Sequence, residues 1–351
     1  MEDIARIDVI APNFKRRLSG VTSTVVRLVP IQAGQIAIAA AAPALPPNVP
    51  QVAISSLIFM SRRGPSGHRV WHARRNIEML AGLALKVLLR KRLKLLFTSA
   101  SQRHHTGFTK WLISKMDSIV STSERTATYL DRPSTVILHG IDSEAFTPIM
   151  DKAPMRRVLG LPAETRLVGC FGRIREHKGT GDFVEAMVQV LQDRPGVTAL
   201  VMGRATDQHR SFEAGLHDRA AEAGLGERIR FLPEVPVWQM PDWYRVLDLY
   251  VAPQRWEGFG LTPLEAMSCG VPVLATRVGA FEEQLEDGVT GRLVPPEDVP
   301  ALAREAADLL DDMQTLTRMG SAARERVKSH FRIEDEAAAL VSIYRDLLDR
   351  D

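Results

Sequence analysis

Glu257 and Glu265 stand with seven residues between them, and Gly258-Phe259-Gly260 lies in that interval. An apolar run, LDLYVAP, precedes the pair, and Thr262-Pro263 follows the glycines. Proline is favoured at a first helical position because its missing N–H costs nothing there. The stretch therefore reads as strand, glycine turn and helix, with Glu257 at the strand end and Glu265 on the first helical turn. The amides of Phe259, Gly260 and Leu261 are expected to point outward, ready for an anion. Carboxylates beside such amides repel phosphate but accept hydrogen bonds from sugar and ribose hydroxyls. That combination predicts a nucleotide-sugar site. The plainer alternative is a pair of surface glutamates at a helix entry, and the glycines between them argue against it.

A second stretch, CFGRIREHKGTGDFVEAM, places Gly172, Arg173, Lys178 and Gly179 where a strand gives way to a helix. Two cations ahead of a helix N-terminus suit a diphosphate, and flanking glycines let backbone approach it. As a solvated basic loop the same residues would bind nothing.

Elements that position these residues follow from the period of the apolar pattern. Ile7–Ala11, Ile36–Ala40, Val52–Ser55, Leu95–Ser99, Ile119–Thr122 and Val136–Leu138 read as strands, with helices around Thr22–Val29 and Ile77–Leu93. The second half repeats the scheme with LVGCF, VTALVM, RIRFL, LYVAP, PVLAT and GRLV. Strand-helix alternation predicts an α/β protein of two doubly wound, Rossmann-like parallel sheets facing a cleft. The expected division is residues 1–148, residues 149–332 and an amphipathic C-terminal helix, 333–351, packing back toward the N-terminal domain.

Four motifs in this order resemble family 4 glycosyltransferases of GT-B architecture. They are GR…KG at Gly172-Arg173 to Lys178-Gly179, HGIDSEAFTP, Glu257 to Glu265, and GVTGRLVPPED. The resemblance implies a retaining sugar transfer from a nucleotide-sugar cosubstrate, without metal or other cofactor. Arg173 and Lys178 would bind the diphosphate, Glu265 the ribose, and Glu257 the donor sugar near the reacting centre. Gly258, Phe259, Gly260 and Leu261 would line the donor, and Gly20, in the N-terminal glycine loop, would lie close to its phosphates. A histidine from the region of His104 and His105 lies near the acceptor or transferred sugar in related transferases. As solvated loop histidines the two would do nothing. More narrowly, APNFKRRLSGVTSTVVRLVPIQ and LFTSASQRHHTGFTKWLISKMDSIVSTSE are similar to alphaproteobacterial lipopolysaccharide core mannosyltransferases. Those move mannose from GDP-mannose to the inner-core Kdo of a lipid A precursor. A UDP-sugar transferase of envelope or exopolysaccharide synthesis, or a GT-B epimerase, is the competing expectation.

Composition bounds the partners. At 45% hydrophobic and 25% charged, the 351 residues form a soluble globular protein, expected in the cytoplasm. No segment offers the roughly 20 apolar residues of a membrane span. Residues 1–150 hold 20 Lys/Arg against 9 Asp/Glu, and the remainder 25 against 33. The basic first half suits an anionic glycolipid acceptor, with Lys15, Arg16 and Arg17 as its rim. Nucleic acid is disfavoured, because exposed aromatics do not interleave with the bases. The helix bearing Lys86, Arg90, Lys91, Arg92 and Lys94 is either an ordinary amphipathic helix or a contact for the membrane surface. Cys170 and Cys269 lack metal-ligand spacing and are expected as buried thiols.

Overall fold

The computed structural model describes residues 1–15 and 20–350. Their contacts divide into two units, residues 1–140 with 333–351, and residues 141–332. Counted this way, the first unit holds 22 Lys/Arg against 13 Asp/Glu and the second 23 against 29.

The first unit is built on a seven-stranded sheet of β1 (Val9–Pro12), β2 (Ile38–Ala41), β3 (Gln51–Val52), β4 (Arg69–Ala73), β5 (Leu93–Ser99), β6 (Ser118–Ser121) and β7 (Thr135–Val136). Its order is β3-β2-β1-β4-β5-β6-β7, with every pairing parallel. Successive residues of a strand point to opposite faces, and both faces are covered. Ile10, Leu95 and Phe97 join the core under helices Ser56–Phe59, Asn76–Val87 and Gly107–Ser114. Val9, Ala11 and Leu96 pack on the opposite side with helices Gly20–Ala33 and Ile333–Asp349. That last helix buries Ile333, Ala337, Leu340, Val341, Tyr344 and Leu347, a stripe at 3–4 residue spacing. Glu336 fixes its start to the end of the unit. Its carboxylate takes His139 Nδ1 at 2.6 Å and the Gly140 amide at 2.8 Å.

Three sequence expectations are corrected here. β4, at the centre of the sheet, was not among the expected strands, because Arg69 and His72 interrupt its apolar run. The helix expected over Ile77–Leu93 ends at Val87. Arg90 adopts φ +50°, which breaks the helix, and Leu93 opens β5. The strand expected over Val52–Ser55 is only Gln51–Val52, since Ser56 N turns back onto Ala53 O at 3.1 Å.

The second unit holds a six-stranded parallel sheet of β8 (Arg166–Phe171), β9 (Val197–Met202), β10 (Ile229–Leu232), β11 (Leu249–Ala252), β12 (Val273–Thr276) and β13 (Gly291–Val294). Its order is β10-β9-β8-β11-β12-β13. The winding reverses between β8 and β11, and in such sheets ligands lie beyond the carboxyl ends of the strands at that reversal. Arg156, 6% exposed, anchors the amino-terminal ends of these two strands by donating to the carbonyls of Val246, Ala163 and Thr165 and to Asp248. Cys170 and Cys269 are buried separately, and burial pushes each thiol up to about 12.

Candidate functional site

The loops that leave β8 and β11 flank the reversal of the second sheet, and they carry the residues singled out from sequence. After β8 the chain passes Gly172 and Arg173 and makes one 3-10 turn, Glu176–Lys178. It then enters helix Thr180–Gln192 through Gly179. After β11 it runs from Pro253 through the glycine turn into helix Thr262–Ser268.

These two loops are bolted together. Lys178 Nζ donates to Glu257 Oε2 at 2.5 Å, and Glu257 Oε1 accepts from the Gly258 amide at 3.0 Å. The His177 carbonyl accepts from the Arg255 amide at 3.0 Å. Arg255 forks onto Asp182 at 2.6 and 2.9 Å, tying the second loop to the first turn of the helix behind the first. Gly179, at φ +70°, permits this approach, since a Cβ there would sit 1.8 Å from the Pro253 carbonyl oxygen. Gly260, at φ +75°, is likewise closed to a side chain, because a Cβ would meet the Phe281 ring at 2.5 Å. The Gln284 amide braces the turn, donating to the carbonyls of Phe259 and Gly260 at 3.0 and 2.9 Å.

Glu257 and Glu265 have different surroundings. Glu257 is held by Lys178. Glu265 lies on the first turn of its helix beside Tyr244 and Tyr250. Burial first, and then the Glu265 carboxylate, pushes the Tyr244 hydroxyl well above its ordinary range. The Tyr250 hydroxyl donates to the Phe171 carbonyl at 3.1 Å, joining β11 to the end of β8. Burial, with Lys178 and Arg175 nearby, lowers the His177 pKa and favours a neutral imidazole. Arg173 is half-buried at the mouth of the β8 loop.

In the first unit, Lys15 is exposed at the end of β1, and Gly20 opens helix Gly20–Ala33. Arg16 and Arg17 lie outside the described residues. His104 is exposed with its ring 5.4 Å from that of Tyr129, whereas His105 is half-buried with Nε2 enclosed and unpartnered among the described residues. Burial lowers the His105 pKa, with Asp131 opposing.

Sequence reading did not single out Arg255, Asp182, His177 or Gln284. His177 sits inside the quoted basic motif, and its place beside Lys178 was a usable signal. Arg255 and Asp182 are 73 positions apart and share no local pattern. Among the described residues, no group of three or more His, Cys, Asp and Glu could hold a metal ion.

A site with two cations, a paired carboxylate and a second carboxylate at a strand-end reversal can take a ligand that is anionic at one end and hydroxylated at the other. Residues 151–326 match the family described as glycosyl transferases group 1. The chain belongs to that family. It is a glycosyltransferase, and it is similar over its whole length to curated members. One is the lipopolysaccharide core biosynthesis mannosyltransferase LpsB of Rhizobium meliloti strain 1021, 51% identical across 99% of this chain and 100% of that one. Another is the lipopolysaccharide core biosynthesis mannosyltransferase LpcC of Rhizobium leguminosarum bv. viciae, 46% identical across 99% of each. Anabaena Alr3699/HepE, solved in complex with UDP and glucose, superposes with a TM-score of 0.83 over 97% of this glycosyltransferase and 100% of its own chain. At 18% identity that match speaks for fold alone, and the two Rossmann-like sheets are those of GT-B glycosyltransferases.

Proposed function

We propose that this glycosyltransferase moves mannose from GDP-mannose to the Kdo inner core of a lipid A precursor, with retention at the anomeric carbon. The observation that carries the reading is full-length similarity, at 51% and 46% identity, to two lipopolysaccharide core mannosyltransferases. In this reading Arg173 and Lys178 neutralise the leaving diphosphate in place of a divalent ion. Glu257 accepts from donor-sugar hydroxyls, and Glu265 from the ribose. Lys15, Arg16 and Arg17 attract the anionic acceptor, and His104 or His105 lies near it. The test is release of free nucleoside diphosphate on mixing the protein, in EDTA, with a Kdo-lipid A acceptor and GDP-mannose, UDP-glucose or ADP-glucose. Release with GDP-mannose alone is expected. Turnover with a UDP-sugar instead overturns the donor, and strict dependence on added Mg²⁺ or Mn²⁺ overturns the metal-free route.

We also propose that the protein works on the surface of an anionic membrane. No described helix is long and apolar enough to cross one. The support lies in the three helices over one face of the first sheet. They and the adjoining loop expose Phe59 at 84%, Leu88 at 77%, Phe108 at 54% and Trp111 at 46%. Residues 54–115 carry thirteen Lys/Arg and a single acidic residue, Glu78, which is buried. Aromatic side chains in the interface and bases over anionic headgroups bind together. The protein is expected to co-sediment with vesicles containing phosphatidylglycerol and not with pure phosphatidylcholine. Replacing Phe108 and Trp111 by Ser should weaken this by at least about tenfold, since withdrawing the equivalent of only two CH₂ groups at roughly 0.8 kcal/mol each already does so. Equal binding by the double variant removes the assignment.

A further inference from the structure

Among the described residues, two ion pairs join the loop after β8, with the helix it enters, to the loop after β11, and they differ in kind. Lys178–Glu257 is a single contact from the end of a flexible side chain. Arg255–Asp182 is a planar fork, with Nε and one terminal nitrogen of the guanidinium on the two oxygens of one carboxylate. The Asp182 side chain is 8% exposed and lies on the first turn of helix Thr180–Gln192, where the helix end favours a negative charge. The other terminal nitrogen of Arg255 is 3.0 Å from Glu297, in the turn that leaves β13. Glu297 stands at φ +63°, a conformation that a side-chain-bearing residue keeps only where its surroundings impose it. Each guanidinium nitrogen therefore faces a carboxylate already, and the group is placed to hold segments together. It is not a spare cation for a diphosphate.

Chain position gives this fork its consequence. Arg255 stands two residues before Glu257, and Asp182 four after Lys178. The Arg255 amide also donates to the carbonyl of His177, the neighbour of Lys178. In the proposed reaction Lys178 shares its ammonium with the leaving diphosphate. Its hold on Glu257 then weakens at the step that needs Glu257 on the sugar. A second tie between the same two segments, made of groups that meet no substrate, keeps their separation fixed through that exchange.

We infer that Arg255 and Asp182 are positioning residues for the transfer, a clamp that keeps Glu257 in place relative to Lys178 while the ammonium changes partner. The inference rests on the proposed reaction for the placing of the diphosphate at Lys178 and the sugar at Glu257. An ion pair that served folding alone would act on the melting temperature and leave the turnover of the folded protein unchanged.

The experiment is a double-variant cycle on the full chain, read by initial rates on GDP-mannose and Kdo-lipid A, by GDP titration and by thermal melts. Asp182→Asn keeps the shape and leaves no buried carboxylate unpaired. It should lower kcat by about tenfold or more, since small misplacements of a reacting group are costly. The GDP dissociation constant should move by less than about threefold, because the charge removed was already paired and screened. In a Glu257→Gln background the same change should cost less than about threefold further in kcat, because residues that act as one unit do not add. Arg255→Lys, which retains the charge but not the fork, should behave alike, and it carries the test if Asp182→Asn fails to fold. Wild-type kcat in the folded variants, losses that multiply in full with that of Glu257→Gln, or a fall in GDP affinity equal to the fall in kcat overturns the clamp. A wild type that turns over a UDP-sugar in place of GDP-mannose overturns the proposed donor alone, and the same non-additive losses are then expected with that sugar.

Discussion

Lys178→Ala and Glu257→Gln are each expected to cut turnover by about 10²–10³-fold, the usual cost of removing one preorganised group that meets developing charge, while moving GDP affinity in opposite directions. Lys178 Nζ and Glu257 Oε2 are 2.5 Å apart. For a diphosphate that recruits Lys178, the Glu257 carboxylate is both a competitor for the same ammonium charge and a repelling neighbour. Lys178→Ala removes the ammonium, and GDP binding weakens. Glu257→Gln keeps the shape but removes the competing charge, and GDP binding tightens, by about 2–5-fold for a part-exposed pair in screened solvent. Turnover should fall in both if, as proposed, Lys178 meets the leaving diphosphate and Glu257 the transferred sugar. Neither change should unfold the protein, since the two side chains are 24% and 16% exposed. Steady-state rates and calorimetric GDP titrations decide the matter. Near-normal turnover in either variant ends the donor-site assignment, and a shift of GDP affinity in the same direction ends the competition argument.

What could be read from sequence divides along a physical line. The second sheet was legible because its strands are short apolar runs bounded by turn residues. GRLV is β13 residue for residue, and LVGCF lies wholly within β8. The C-terminal helix was legible from its 3–4 residue stripe. β4 was not legible because hydropathy counts Arg69 and His72 as surface residues. Arg69 is 1% exposed, and it donates to the carbonyls of Ile4, Ile7, Ser61 and Arg63. His72 is satisfied by Tyr344 and Thr98. Once their donors are paired inside, the buried polar groups of a central strand cost little, and the partners that pair them are distant in sequence. The candidate site shows the same division. Glu257 and Lys178 announced themselves through flanking glycines. The Arg255–Asp182 fork and the Gln284 brace join segments that only the fold makes neighbours. The long helix was overread because nothing local marks Arg90 as its stop, a non-glycine residue at positive φ.

Gly179→Ala is expected to lower kcat/KM by about 10²-fold or more, because misplacing catalytic groups by about 1 Å is enough for such a loss. Two separate constraints act on this residue. Its φ of +70° is a conformation that costs a side-chain-bearing residue roughly 1–2 kcal/mol. In addition, a Cβ would lie 1.8 Å from Pro253 O and 2.5 Å from Pro253 C, so backbone itself must move. The displaced segments are the one holding Lys178 and the one holding Glu257, and the His177–Arg255 backbone bond between them must stretch. Gly160 separates the two constraints. It has φ +67°, yet nothing lies within 4 Å of where its Cβ would stand. Gly160→Ala therefore carries the backbone strain without the collision, and should lower Tm by a few degrees with kcat/KM intact. Gly179→Ala should lower Tm by roughly 5–10 °C, for a loss of about 2–4 kcal/mol, and should raise the GDP dissociation constant along with the loss of turnover. Thermal melts, GDP titrations and initial rates on the two variants side by side test this. If both lose the same Tm and both keep their turnover, the close approach of the two loops is not what assembles the donor site.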